Sequence, residues 1–153
     1  MTLDALIDFY HTLTPESVAR LPDYYSDDAY FKDPFNEVKG APAIQRIFTH
    51  MYRQVDTPRF IVTDRLADAN GAVLIWEFLF TRGGGPSQET QRIRGSSHLK
   101  FNAAGKVTYH RDYWDAAEEL YMKVPLLGCL MRTLQRRLAS SPLPKSSPPN
   151  SPT

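Results

Sequence analysis

The chain has 153 residues, with 18 Lys and Arg against 17 Asp and Glu and a formal net charge of +1. That length suits one domain with a proper core, and the balance of charge argues against a polyanionic partner such as nucleic acid. The single cysteine, Cys129, rules out an intrachain disulfide, and with no apolar run longer than stretches such as Val73-Leu-Ile-Trp76, a cytoplasmic protein without a membrane span is expected.

The N-terminal Met1-Thr-Leu-Asp4 carries an acid, unlike a leader, and runs straight into a helical pattern. Leu3, Leu6, Ile7, Tyr10 and Leu13 predict an amphipathic helix over 3–13. Thr14-Pro15-Glu16 offers a cap, a proline and an acid for the first turn of a second short helix reaching about Tyr25. Ser26-Asp-Asp28 breaks it. Ala29-Tyr-Phe-Lys-Asp-Pro34 follows as an extended segment, because Pro34 disfavours helical geometry at Asp33.

Gly40-Ala-Pro42 opens a third helix with the stripe Ile44, Ile47, Phe48, Met51 and Val55, stopped at Thr57-Pro58. Strands are predicted over 59–67 and 72–82, joined at Asn70-Gly71, a strong hairpin signal. Gly83-Gly-Gly-Pro-Ser87 lacks the Lys-Ser/Thr of a phosphate loop and reads as a connection to a third strand over 89–101. The turn at Ala104-Gly105 leads to the last strand, Lys106–Asp115. A helix over 116–122 ends near Pro125. Leu126, Leu127, Leu130, Met131, Leu134 and Leu138 mark a C-terminal helix, with Cys129 among its apolar residues and Arg132, Arg136 and Arg137 mostly off the stripe. A domain over 1–138 is therefore followed by a Ser/Pro-rich tail, 139–153, expected to be disordered. Three helices and a four-strand antiparallel meander make an α+β arrangement with helices on one face of the sheet.

The last predicted strand carries the chemistry. Alternation puts Thr108, His110, Asp112 and Trp114 on one face and Val107, Tyr109, Arg111 and Tyr113 on the other. An imidazole, a carboxylate and an indole in one row suit the wall of a pocket better than a plain core. His110 and Asp112, roughly 7 Å apart between Cα atoms, can act as proton shuttle and orienting partner; the alternative pairs Asp112 with a helix N-terminus or with Arg94. Asp33 is either a pocket-facing base or a turn aspartate before proline. Trp76, Phe78, Phe80, Leu99, Phe101 and Trp114 serve equally as core and as lining for a flat or cyclic apolar ligand. Tyr109, Arg111 and Tyr113 suit a subunit interface. His98 has the opposite parity to Ser97, and His11 and His50 lie on helices without a chemical signal. No H-x-H or H-x-x-x-H spacing supports a metal site, and none is expected.

Two stretches carry a resemblance. Tyr25-Ser-Asp-Asp-Ala-Tyr-Phe-Lys-Asp-Pro-Phe35, followed by Gly-Ala-Pro, resembles the ketosteroid isomerase segment that holds the general base. Leu99-Lys-Phe-Asn-Ala-Ala-Gly-Lys-Val107 through Asp112-Tyr-Trp-Asp115 resembles the last hairpin of the same nuclear transport factor 2-like superfamily, which includes the SnoaL-like cyclases. The resemblance covers about residues 3–120. It implies a curved sheet around a helix-capped conical pocket, and a homodimer paired through the outer sheet face. It places Asp33 at the isomerase base and Trp114 at a pocket tryptophan. The oxyanion donors fall on Phe9, with Tyr10 one residue away, and on Ser97, so the usual steroid machinery is incomplete. His110-Arg-Asp-Tyr-Trp-Asp115 is also similar to a limonene epoxide hydrolase segment, with its aspartate at Asp112. Phe78 and Phe80 stand where that family needs an Arg and a second Asp.

The expectation is a cofactor-free SnoaL-like domain that binds a small apolar or cyclic molecule, as an isomerase, cyclase or hydratase using acid/base chemistry. In it Asp33 is the base, His110 the acid or shuttle and Asp112 the orienter; Tyr10, Trp76, Phe78, Ser97, Leu99 and Trp114 contact the ligand. The alternative is a non-catalytic dimeric ligand-binding or interaction module of the same fold.

Overall fold

The computed structural model describes residues 1–81 and 89–116, together with Thr133 and Arg137. The predicted connection at 83–87, the body of the C-terminal helices with Cys129, and the tail lie outside the described residues, as does the boundary at 138/139.

Helix α1 (Leu3–His11) starts where predicted, its Ala5 N–H donating to the Thr2 hydroxyl (3.2 Å), a side-chain cap on the first turn. The predicted second helix is split into a 3₁₀ turn (Ser17–Arg20) and a short α2 (Leu21–Tyr24). Pro22 has no N–H to continue the preceding turn. Strands β1 (Tyr25–Lys32) and β2 (Glu37–Lys39) precede helix α3 (Ala41–Gln54). The remaining strands are β3 (Asp56–Asp68), β4 (Gly71–Thr81), β5 (Gln91–Phe101) and β6 (Val107–Tyr113).

The sheet corrects the four-strand antiparallel expectation. It has six strands in the order β2-β1-β6-β5-β4-β3, and β1 runs parallel to β6 while every other neighbour is antiparallel. Phe31 pairs with His110 and Lys32 with Arg111. That pairing joins the two ends of the domain, so nothing in the local pattern of 25–32 announces it. Strand β2, three residues long, is too short to show a period of two.

The inner face follows from alternation on β4: Ala72, Leu74, Trp76, Phe78 and Phe80 are buried, and the residues between them less so. Leu6, Phe9 and Tyr10 from α1, Leu21 from α2, and Ile44 and Phe48 from α3 complete the core against this face. At Gly95, opposite Trp76, an added Cβ would lie 2.5 Å from the indole ring. Glycine there is what lets the indole cross β5. Among the described residues no helix is long and apolar enough to cross a membrane.

A bulge corrects the parity read along the last strand. Lys100 pairs with Tyr109 but Phe101 pairs with Val107, which leaves Thr108 as the extra residue. Val107 is therefore fully buried on the core side with His110, while Thr108 Oγ1 turns to donate to the Lys100 carbonyl (3.2 Å). Beyond the bulge the expected alternation resumes. Leu99 faces His110 and Ser97 faces Asp112, and His98 pairs with Arg111 beside the Tyr109 ring (centroids 5.3 Å) on the other face.

Candidate functional site

Six side chains at the core form one connected polar network. Tyr10 comes from α1, Tyr25 from the first position of β1, Trp76 from β4, Ser97 from β5, and His110 and Asp112 from β6. The Tyr10 and Tyr25 hydroxyls are 2.6 Å apart, and the Tyr25 hydroxyl is 2.6 Å from His110 Nδ1. His110 Nε2 lies 2.7 Å from Asp112 Oδ1. The Ser97 hydroxyl donates to the same Oδ1 (2.5 Å) and accepts from Trp76 Nε1 (2.8 Å).

With a carboxylate at Asp112 and a neutral His110, one arrangement of hydrogens fits all five contacts. Nε2–H and Ser97 O–H both donate to Oδ1. In that arrangement His110 Nδ1 accepts from Tyr25, and Tyr10 in turn donates to Tyr25. Burial holds both phenols above the ordinary tyrosine value; for Tyr25 the neighbouring Tyr10 adds to the rise, and the charge of Asp112 adds for both. They therefore stay protonated donors. His110 is 3 % exposed, a position that demands partners for both ring nitrogens, and it has them.

A cavity of about 30 Å³ adjoins the network, bounded by Tyr10, Phe48, Phe60, Trp76, Ser97 and Asp112, among others. Asp112 also borders an open cleft of about 550 Å³ that includes Lys32, Asp33, Arg111, Trp114 and Asp115. A separate groove of about 470 Å³ lies by the β3–β4 turn, at Leu66, Val73, His98 and Lys100, away from the network.

The expected site residues divide. Tyr10, Trp76, Ser97, His110 and Asp112 are brought together. Phe78 stacks on Phe60 (4.5 Å) and Leu99 is fully buried, both in the core outside the cavity lining. Trp114 packs edge-on against Phe35 (5.4 Å) and borders the cleft. Asp33 sits in the turn between β1 and β2. Its carboxylate accepts from Phe35 N (2.7 Å), Asn36 N (2.6 Å) and Asn36 Nδ2 (2.9 Å), and its own N–H donates to the Asn36 carbonyl (2.9 Å). This is the Asx-turn use of an aspartate; Asp33 borders the cleft and not the inner cavity. Arg94 pairs with Glu77 (3.5 Å) and not with Asp112. Among the described residues no cluster of His, Cys, Asp and Glu could hold a metal.

Sequence reasoning missed Tyr25, Phe48 and Phe60 as site residues. Tyr25 opens the very motif that carries the family resemblance, which was its available signal, but the helical pattern before it places it at a helix end. His11 also has a role that its helical position did not reveal: Nε2 accepts from Val62 N (2.9 Å), tying α1 to β3.

Helices on the inner face of a six-strand mixed sheet, with a buried polar row on the last strand, define a nuclear transport factor 2-like fold. The SnoaL-like domain family matches residues 6–110, and the chain belongs to that family. A protein described as a SnoaL-like polyketide cyclase from Shewanella putrefaciens is similar in structure, with TM-score 0.62 and 19% identity over 80% of this chain and 99% of that one. An NTF2-like protein of unknown function from Cytophaga hutchinsonii gives TM-score 0.59 and 17% identity over 77% and 93% of the two chains. A hypothetical protein of ketosteroid isomerase-like fold from Catenulispora acidiphila, in complex with trimethylamine, gives 0.62 and 12% over 77% and 88%. Identities this low speak for the fold alone. No curated protein matches the chain at a significant level.

Proposed function

We propose that the protein binds a small apolar or cyclic molecule beside Asp112 and moves a proton on it, the chemistry of a cofactor-free isomerase, cyclase or hydratase. The observation that carries this reading is the position of Asp112. His110 and Ser97 hold one of its oxygens, while the residue borders both the inner cavity and the open cleft. A carboxylate oriented from behind and open in front is a usable base. The base is thereby moved from Asp33, whose carboxylate is engaged in its turn, and His110 becomes the orienting partner. Trp76, Tyr10 and Phe60 supply the apolar wall. Pairing of two copies through the outer sheet face belongs to the same reading, supported by exposed Ile75 and Tyr113.

A second reading has its own support. Every hydrogen of the network is used internally, as a purely structural polar core would require, and this favours the non-catalytic binding module. Native mass spectrometry of the freshly purified protein, then incubation of any recovered molecule with the protein in D₂O, separates the two. Deuterium uptake at carbon that disappears in Asp112→Asn supports catalysis. Binding without uptake supports the module. If no molecule is recovered and no small cyclic compound shifts the Trp76 indole resonance, the cavity has no ligand and both readings fall.

A further inference from the structure

We infer that the ligand beside Asp112 presents a hydrogen-bond donor, specifically a protonated amine on a small apolar body, and not a carbonyl oxygen. This ligand class presupposes that the cavity binds small molecules, as proposed above, and narrows their chemistry.

With His110 neutral, the network contains five hydrogens on nitrogen or oxygen, on Tyr10, Tyr25, His110 Nε2, Ser97 and Trp76. The five bonds consume all of them: Tyr10 to Tyr25, Tyr25 to His110 Nδ1, His110 to Asp112, Ser97 to Asp112 and Trp76 to Ser97. What remains toward a ligand are acceptors. Asp112 Oδ2 has no donor among the described residues, and neither Lys nor Arg is paired with Asp112 there. A carbonyl ligand needs a donor, and drawing one from Tyr10 would break its bond to Tyr25.

A protonated amine meets every one of these conditions. It donates to Oδ2 and supplies a counter-charge that no described Lys or Arg provides. Its charged head lies among Tyr10, Phe48, Phe60 and Trp76, aromatic residues of a kind that attracts a cation. The cavity, about 30 Å³, holds about two waters, enough for an ammonium head. The apolar body then lies toward the cleft that Asp112 shares with Trp114. Among the described residues that border the cleft, Lys32 pairs with Glu37, and Arg111 sits 4.8 Å over the Tyr113 ring. The titratable groups joined to His110 are Tyr25 from β1, Asp112 from β6 and, one bond further, Tyr10 from α1; α3 and β4 contribute the neutral Phe48 and Trp76.

Cyclopentylammonium, cyclopentanol and cyclopentanone share one body and differ only in the head, so they isolate this property. They are titrated into the full-length protein at neutral pH, following the Trp76 indole N–H resonance and the ¹⁵N shifts of His110. The expected result is the tightest binding for the ammonium, about tenfold over the ketone, with the alcohol between. Added salt weakens only the ammonium, Asp112→Asn removes its advantage, and His110 Nδ1 stays an acceptor. Ketone binding equal to or tighter than ammonium binding overturns the inference and leaves the cavity reading standing. An ammonium affinity unchanged in Asp112→Asn, or a proton on Nδ1, overturns it as well. Silence from all three compounds defeats the inference and the cavity reading together. Should Asp112→Asn fail to fold, the ranking on the wild-type protein decides.

Discussion

The Tyr25 hydroxyl lies 2.6 Å from both the Tyr10 hydroxyl and His110 Nδ1, so one buried phenol couples the first helix to the last strand. Tyr25→Phe leaves the fold its ring but takes the only donor from Nδ1 among the described residues. An unsatisfied buried acceptor costs about 1–3 kcal/mol, and chemical denaturation should show a loss of that size. A loss near zero would mean that water replaces the phenol. Tyr10→Phe should cost less, because Tyr25 keeps its own acceptor.

Ser97→Ala removes a donor from Asp112 and the acceptor of the Trp76 indole N–H in one change. Both groups are partly or wholly buried, and the expected destabilisation is about 2 kcal/mol. The indole N–H should also begin to exchange with solvent faster. Unchanged exchange would indicate that the indole has found another acceptor.

Gly95→Ala places a methyl group 2.5 Å from the Trp76 ring. The indole cannot stay where it is. Overpacking of this kind costs about 1–3 kcal/mol, and the Trp76 resonance should move even where the chain still folds. A variant as stable as wild type with an unmoved indole would contradict the packing described.

Stability should fall steeply in base. Burial raises the Tyr10 and Tyr25 values in the fold, so an unfolded chain releases these protons at lower pH than the native one. The stabilising contribution is complete below about pH 10 and declines as pH rises above it. Each phenol adds about 1.4 kcal/mol per pH unit to the slope, so Tyr10→Phe should flatten the curve by about that amount. Half-buried Tyr52, whose value burial pushes up to about 12, titrates later than exposed tyrosines. Absorbance of tyrosinate against pH, read beside unfolding curves, checks both statements; ionisation of all phenols before unfolding would refute the first.

Ile75→Arg tests the outer face. If two copies pair there, a charge at this exposed position should shift sedimentation from dimer to monomer while leaving the melting temperature of the monomer within a few degrees. A wild-type chain that sediments as a monomer at all concentrations would end that part of the reading.

Periodicity along the chain was enough for α1, α3, the inner face of β4 and the shared face of His110 and Asp112. Each of these depends on a few neighbouring residues, and the family motif around Tyr25–Phe35 was legible for the same reason. Three things required the folded chain: the parallel β1–β6 pair, the bulge that turns Val107 inward, and the hydrogen bond between Tyr25 and His110 across 85 positions. Asp33 shows the limit from the other side: the same Asp-Pro pair that marks a base in relatives closes a turn here, because Asn36 and two backbone N–H groups reach its carboxylate first. Side-chain parity is a local property of a strand, but which strand lies beside it, and which hydroxyl then meets an imidazole, is decided only when distant segments pack.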